Sequence, residues 1–255
     1  MKNTAIEQDA VTAVLRENLD RIETQIAAAC RAAGRPRGEV ALMAVSKMHP
    51  ASAIIAAQGL GIRLFGENRV QEFLEKSGLL SLAHGTAGQA GPAGAEFHLI
   101  GHLQSNKAAR AAELFASVDT LDSVSLAERL DQAAKRLGRR LSVLIEIKLS
   151  PEESKAGLDP ESDELAGLLE RLPDLAGLEM RGLMMVPPFL EDLAAVRPYF
   201  RGLRVLRDRL AGAHRRLSFA ELSMGMSHDF PVAIDEGATQ VRIGTALFGA
   251  RDYSK

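Results

Sequence analysis

A single cysteine, Cys30, rules out an internal disulfide framework and fits a reducing compartment. It sits in an alanine-rich helical pattern and reads as a small packing residue. No apolar run approaches the length of a membrane span, so no membrane partner is expected. The first residues, MKNTAIEQDA, are polar and lack the apolar centre of a secretion signal, which places the expected location in the cytoplasm. Neither sign of charge is in excess: 31 Lys and Arg stand against 33 Asp and Glu, a formal net charge of −2. This gives no electrostatic reason to expect nucleic acid as a partner. No GxGxxG fingerprint follows the first predicted strand, which argues against a doubly wound dinucleotide-binding sheet. Internal repeats and a domain-scale linker are also missing.

What is present is an ordinary globular balance, 46% hydrophobic and 25% charged over 255 residues, enough for one large core. Ile6 to Ala33 has helical spacing, with Val11, Leu15, Ile22 and Ile26 on one side, and the segment Gly34 to Gly38 ends it. Val40 to Val45 is a short apolar run that reads as a buried parallel strand ending in Ser46 and Lys47. Further strands are expected over Ile62–Phe65, Phe97–Ile100, Ser117–Leu121, Leu141–Leu149, within Met180–Val186, over Phe219–Ser223 and over Gln240–Ile243. Each is followed by a helical or helix-like segment. Eight such βα units in this length predict a single (β/α)8 barrel domain spanning residues 1–255, with residues 1–38 as an added N-terminal helix and turn. Residues 83–96, rich in Gly and Ala, are expected to form a flexible surface insertion.

In such a barrel the working groups lie at the carboxyl ends of the strands, and a phosphate commonly sits after the last two. Lys47 ends the first strand. Burial disfavours an ammonium, so an amine there is suited to condense with an aldehyde; a lysine that snorkels into water fits the same place. Asn68 ends the second strand and, with Gln71 three residues on, also matches a helix N-cap with a capping box. Ser223 to Ser227, and Gly244 with Thr245, offer hydroxyls and close backbone amides to an anion, or serve as ordinary caps and turns. If the barrel closes, the lysine and this cradle are neighbours. An aldehyde-bearing phosphate ester held at both ends is pyridoxal phosphate. His98 and His102 are read as structural rather than metal-ligating, and the arginines between Arg201 and Arg216 as a solvated helix face.

The segments AVSKMHP, FGENRVQEF, FHLIGHLQSNK, EESKAGL, RGLMMVPP, LSMGMSHDFPVAIDEGATQVRIGTALFGAR and RDYSK resemble the pyridoxal phosphate homeostasis protein family from about Val40 to the end. The resemblance implies the alanine-racemase-like barrel of fold type III without a second domain. It makes Lys47 the lysine that holds pyridoxal 5'-phosphate as a reversible Schiff base. Asn68 would lie by the ring, Ser227, Gly244 and Thr245 would hold the phosphate, and Arg242 would face the ring nitrogen. By its residues alone, Arg242 reads as an interior arginine paired with a carboxylate such as Glu146. The family often carries a second lysine two residues after the first, where this chain has His49, and Lys155 is implied to be a loop residue near the site. The implied role is an intracellular carrier that supplies the cofactor to apo-enzymes, most simply as a monomer. A fold-type-III racemase is the alternative, but it needs a second proton-transfer group, and neither tyrosine, Tyr199 or Tyr253, falls at a strand's carboxyl end. A regulatory adaptor is the third reading.

Overall fold

A computed structural model describes residues 2–84, 94–150 and 156–250. Its centre is a closed barrel of eight parallel strands in chain order. The strands are β1 (Ala41–Val45), β2 (Leu64–Glu67), β3 (Glu96–Leu99), β4 (Ser117–Leu121), β5 (Leu141–Glu146), β6 (Leu178–Met184), β7 (Glu221–Met226) and β8 (Gln240–Ile243). Around them run α1 (Lys2–Ala32), α2 (Ala51–Gly59), α3 (Val70–His84), α4 (Ala108–Leu114), α5 (Val124–Arg136), α6 (Asp163–Arg171), α7 (Leu193–Ala213), α8 (Phe230–Asp235) and the single turn α9 (Thr245–Phe248). The eight expected βα units are therefore all present. Among the described residues no helix is long and apolar enough to cross a membrane.

Strand alternation divides the apolar residues between two compartments. Ala44, Phe65, Phe97, Leu99, Val118, Ile145, Leu183, Val241 and Ile243 face outward into one continuous core beneath the helices. Met43, Leu144 and Met184 are equally buried but stand outside that core, filling the barrel interior with Asp119, Ser223, Gln240 and Arg242. The seam between β1 and β8 closes in register, with Ala41 opposite Gln240 and Ala44 opposite Ile243. Helix α1 covers this side. Leu15, Ile22, Ile26 and Cys30 form its buried stripe, Asn18 Nδ2 donates to the Leu247 carbonyl, and Arg35 Nη1 donates to those of Ile234 and Ala238. Val11, expected on the buried side, is half exposed instead, lining an open groove with Val14, Leu15, Leu247 and Phe248.

The boundaries shift where glycine misleads. β2 was expected to stop before Gly66, yet Gly66 lies within the strand, opposite both Val45 and His98. A Cβ there would lie 2.8 Å from Met43 Sδ, so the glycine marks close packing rather than a turn. β7 likewise runs past Ser223 to Met226. β5 ends at Glu146, earlier than expected, and α6 is capped by Ser162, whose hydroxyl accepts from Leu165 N. The arginines of α7 are only partly a solvated face: Arg197, Arg201 and Arg204 all clasp the buried Glu236 after α8. Together they hold that carboxyl down to about 2 against the opposing effect of burial. Of the expected insertion, residues 85–93 lie outside the described residues, while His84 closes α3 and Glu96 opens β3.

Candidate functional site

Lys47 stands two residues beyond Val45, half-buried, in the turn that leaves β1. His49 N closes this turn onto the Ser46 carbonyl at 3.1 Å. Met48 adopts φ 64°, the sole positive φ at a non-glycine among the described residues, a left-handed conformation that a β-carbon disfavours. The turn is tied to its neighbours on both sides of Lys47. Ser46 N donates to the Gly66 carbonyl and Ser46 Oγ to Glu67 Oε1 at 2.7 Å. Met48 N donates to Glu72 Oε1 at 2.5 Å. Lys76 Nζ joins these anchors, reaching the Ser46 carbonyl at 2.9 Å, Glu67 Oε1 at 3.0 Å and Glu72 Oε1 at 2.7 Å. Burial pushes the Glu67 carboxyl above its ordinary range although Lys76 and Ser46 oppose it. Glu72 is also partly desolvated, but the bonds from Lys76 and Met48 hold it below.

The ends of β7 and β8 meet the same mouth. Gly244 follows Ile243, and a Cβ on it would lie 3.5 Å from Val45 Cβ, in ordinary contact with the strand that delivers Lys47. Ser227 Oγ accepts from Gly244 N and Ala246 N, each at 3.3 Å, so a hydroxyl and two amides converge on one point. Thr245 lies between them and is exposed. Asp229 Oδ1 accepts from Met226 N at 2.6 Å and fixes the turn that carries Ser227. This donor set, small residues with no carboxylate among them, suits a phosphate.

Arg242 is buried in the barrel interior, one position before Ile243. Its Nη1 donates to Ser223 Oγ at 2.8 Å and its Nη2 to the Met185 carbonyl at 2.7 Å. The sequence left open a pairing with Glu146. Instead, Glu146 Oε2 is buried without a hydrogen-bond partner, and Arg242 acts on it only through space. Burial, with help from the nearby Asp122 charge, raises the Glu146 carboxyl to about 7. Below Arg242, Ser223 Oγ also accepts from Gln240 Nε2, which reaches Asp119 Oδ2, and Asp119 in turn binds His98 Nδ1 at 3.1 Å. Burial alone would push the His98 imidazolium down; the Asp119 carboxylate more than offsets this and lifts it to about 9. His102 Nδ1 approaches Asp122 at 3.3 Å, so both histidines have carboxylate partners.

The fold therefore gathers the residues singled out in the sequence. Asn68, two beyond Gly66, is level with Lys47, two beyond its ladder partner Val45. The capping reading of Asn68 is displaced, since α3 begins at Val70 and Gln71 Nε2 donates to Glu75. The Asn68 carbonyl packs on Gly101, where a Cβ would lie 2.3 Å from that oxygen. Lys155 and Tyr253 lie outside the described residues. The sequence reading missed Ala246 and the Glu67–Glu72–Lys76 cluster, and it offered Ser223 to an anion where its hydroxyl accepts from Gln240 and Arg242. Ala246 had a signal, as the third residue of a Gly-Thr-Ala helix start. The cluster had only the i, i+4 spacing of Glu72 and Lys76, common to any solvated helix face.

Residues 18–252 match the family described as alanine racemase, N-terminal domain. The chain is 41% identical over 237 residues to the pyridoxal phosphate homeostasis protein of Aquifex aeolicus, covering 93% of this chain and 98% of that one. It is 42% identical over 246 residues to the protein of that name in Escherichia coli K12, covering 94% and 98%. Among solved structures, PipY of Synechococcus elongatus PCC7942 with PLP bound superposes with a TM-score of 0.79 at 40% identity, covering 92% of this chain and all of that one. An alanine racemase from Clostridium difficile has a TM-score of 0.68, with 57% of its length covered; at 15% identity that likeness concerns the fold alone.

Proposed function

The chain belongs to the alanine racemase N-terminal domain family and, within it, to the pyridoxal phosphate homeostasis proteins, and we propose that it holds pyridoxal 5'-phosphate on Lys47 as an intracellular carrier. The cofactor supplies an aldehyde that condenses reversibly with a primary amine. Lys47 provides that amine. Ser227, Gly244 and Thr245 bind the phosphate, with Ala246 N added to their donors. Asn68 lies by the ring, and Arg242 faces the ring nitrogen. With its guanidinium fixed by Ser223 and Met185, Arg242 would set a positive charge facing the ring nitrogen and disfavour protonation of that nitrogen. That weakens carbanion stabilisation and favours storage over turnover.

The observation that carries this reading is the β1–β8 seam, which brings the strand of Lys47 into contact with Gly244 and, through it, Ser227. A carrier is favoured over a racemase because Tyr199 packs from α7 against the outer core. One domain spans the chain, and it works in the cytoplasm as a monomer that passes the cofactor to apo-enzymes by transient contact. Mixing the pure protein with pyridoxal 5'-phosphate tests this. Visible absorbance should develop, disappear in Lys47→Ala, and be accompanied by no conversion of L- to D-amino acids. Steady racemisation of alanine supports the enzyme instead. Absorbance unchanged in Lys47→Ala removes the reading.

A further inference from the structure

Lys47 is carried by a turn of unfavourable shape, and what holds that shape comes from elsewhere in the fold. Met48 stands at φ 64°, and nothing in its own side chain favours the left-handed region, since it is neither Gly nor Asn. Its amide is fixed by Glu72 of α3. On the other side of Lys47, the carbonyl of Ser46 is fixed by Lys76 of α3 and its hydroxyl by Glu67 of β2. Glu67 and Lys76 are both more than nine-tenths buried. Burying a Lys with two carboxylates to hold a surface turn is costly unless the geometry matters. None of the three side chains belongs to the cradle of Ser227, Gly244 and Ala246.

We propose that Glu67, Glu72 and Lys76 are positioning residues that keep the Ser46–His49 turn in its strained form and so present the Lys47 amine to the barrel mouth. Glu72 is the keystone, because one oxygen, Oε1, receives both the Met48 amide and the Lys76 ammonium. Without that acceptor Met48 relaxes toward negative φ, and the turn presents Lys47 in another direction. The inference deepens the proposed function and rests on it for the identity of the aldehyde, but not for the reactivity of Lys47 itself.

The test compares Glu72→Leu, which keeps the bulk and removes the acceptor, with Glu72→Gln, which restores an acceptor for Met48 N. The probe is pyridoxal, which lacks the phosphate, added to the full chain and trapped with borohydride, with modification at Lys47 followed by peptide mapping. In parallel, acetylation of Lys47 by acetic anhydride is timed with no aldehyde present. Capture of pyridoxal at Lys47 should slow by about ten- to a hundredfold in Glu72→Leu and return to within about threefold of the parent in Glu72→Gln. The rate of acetylation at Lys47 should change in Glu72→Leu and return in Glu72→Gln. If Glu72→Leu does not fold, Lys76→Met decides, with the same expected slowing. Equal Lys47 rates in the parent and Glu72→Leu, or equal slowing in Leu and Gln, overturn the proposal. If the acetylation pattern holds while pyridoxal 5'-phosphate is trapped on another lysine, the positioning role stands and the proposed function falls.

Discussion

His98 and Glu146 make the barrel interior sensitive to pH in adjoining ranges. The His98 imidazolium sits at about 9 in the fold because Asp119 stabilises it, against an ordinary value of 6.5. A raised value means that its stabilisation is complete below pH 6.5 and is lost as pH rises through about 9. The thermal midpoint should fall across that window, and His98→Asn should flatten the fall; parallel curves for the two proteins would show that the pair contributes nothing. Glu146 is raised from 4.5 to about 7 by burial, reinforced by Asp122, and its Oε2 has no partner to compensate. The folded form therefore favours the protonated acid. Its contribution is full below pH 4.5 and lost as pH rises through about 7. Glu146→Gln should accordingly be more stable than the parent at about pH 8, by roughly 1–3 kcal/mol, with the advantage disappearing near pH 4. Denaturant titrations at the two pH values read this directly, and an equal or lower stability at pH 8 would contradict it.

The elements that bear the site are held by close approach between successive βα loops. The Asn68 carbonyl at the end of β2 packs onto Gly101 after β3, leaving no room for a β-carbon. Gly101→Ala should therefore lower stability by about 1–3 kcal/mol in chemical denaturation, because backbone must move to admit the methyl. A variant as stable as the parent would mean that the loops yield freely. At the cradle, Ser227→Ala combined with Thr245→Val should weaken retention of pyridoxal 5'-phosphate by about ten- to a hundredfold, measured by dialysis and absorbance, while the circular dichroism spectrum is unchanged. Undiminished retention would put the phosphate elsewhere. The element order was readable from apolar periodicity, and β4 and β8 were placed to the residue, because each is a short mixed run bounded by clear turn signals. The ends of β2 and β7 were not. There, Gly66 and the Ser223–Met226 segment carry turn-like residues that the barrel uses inside a strand, for packing against Met43 and for binding Arg242. The placement of Lys47 and the Gly244–Thr245 pair at neighbouring strand ends was legible because each follows directly on a strand that the sequence marks. The Glu67–Glu72–Lys76 cluster was not, since its meaning depends on which carbonyl and amide of a distant turn it meets.

At the scale of the whole molecule, function follows from closure. An open sheet would leave β1 and β8 at opposite edges, with the amine and the cradle far apart. The parallel pairing of these two strands makes them neighbours, and α1, through Asn18, and the turn after it, through Arg35, are bonded to α9 and α8 beside the joint. The interior beneath the mouth is filled, by Met43, Leu144, Met184 and the chain of bonds from Arg242 to His98, and the proposed carrier role places its ligand at the rim above them. The measurement that tests this most directly is borohydride reduction of the full chain loaded with pyridoxal 5'-phosphate, followed by peptide mapping. The account predicts one reduced adduct, on the peptide containing Lys47, abolished by Lys47→Ala. An adduct on any other lysine, or none at all, would contradict it.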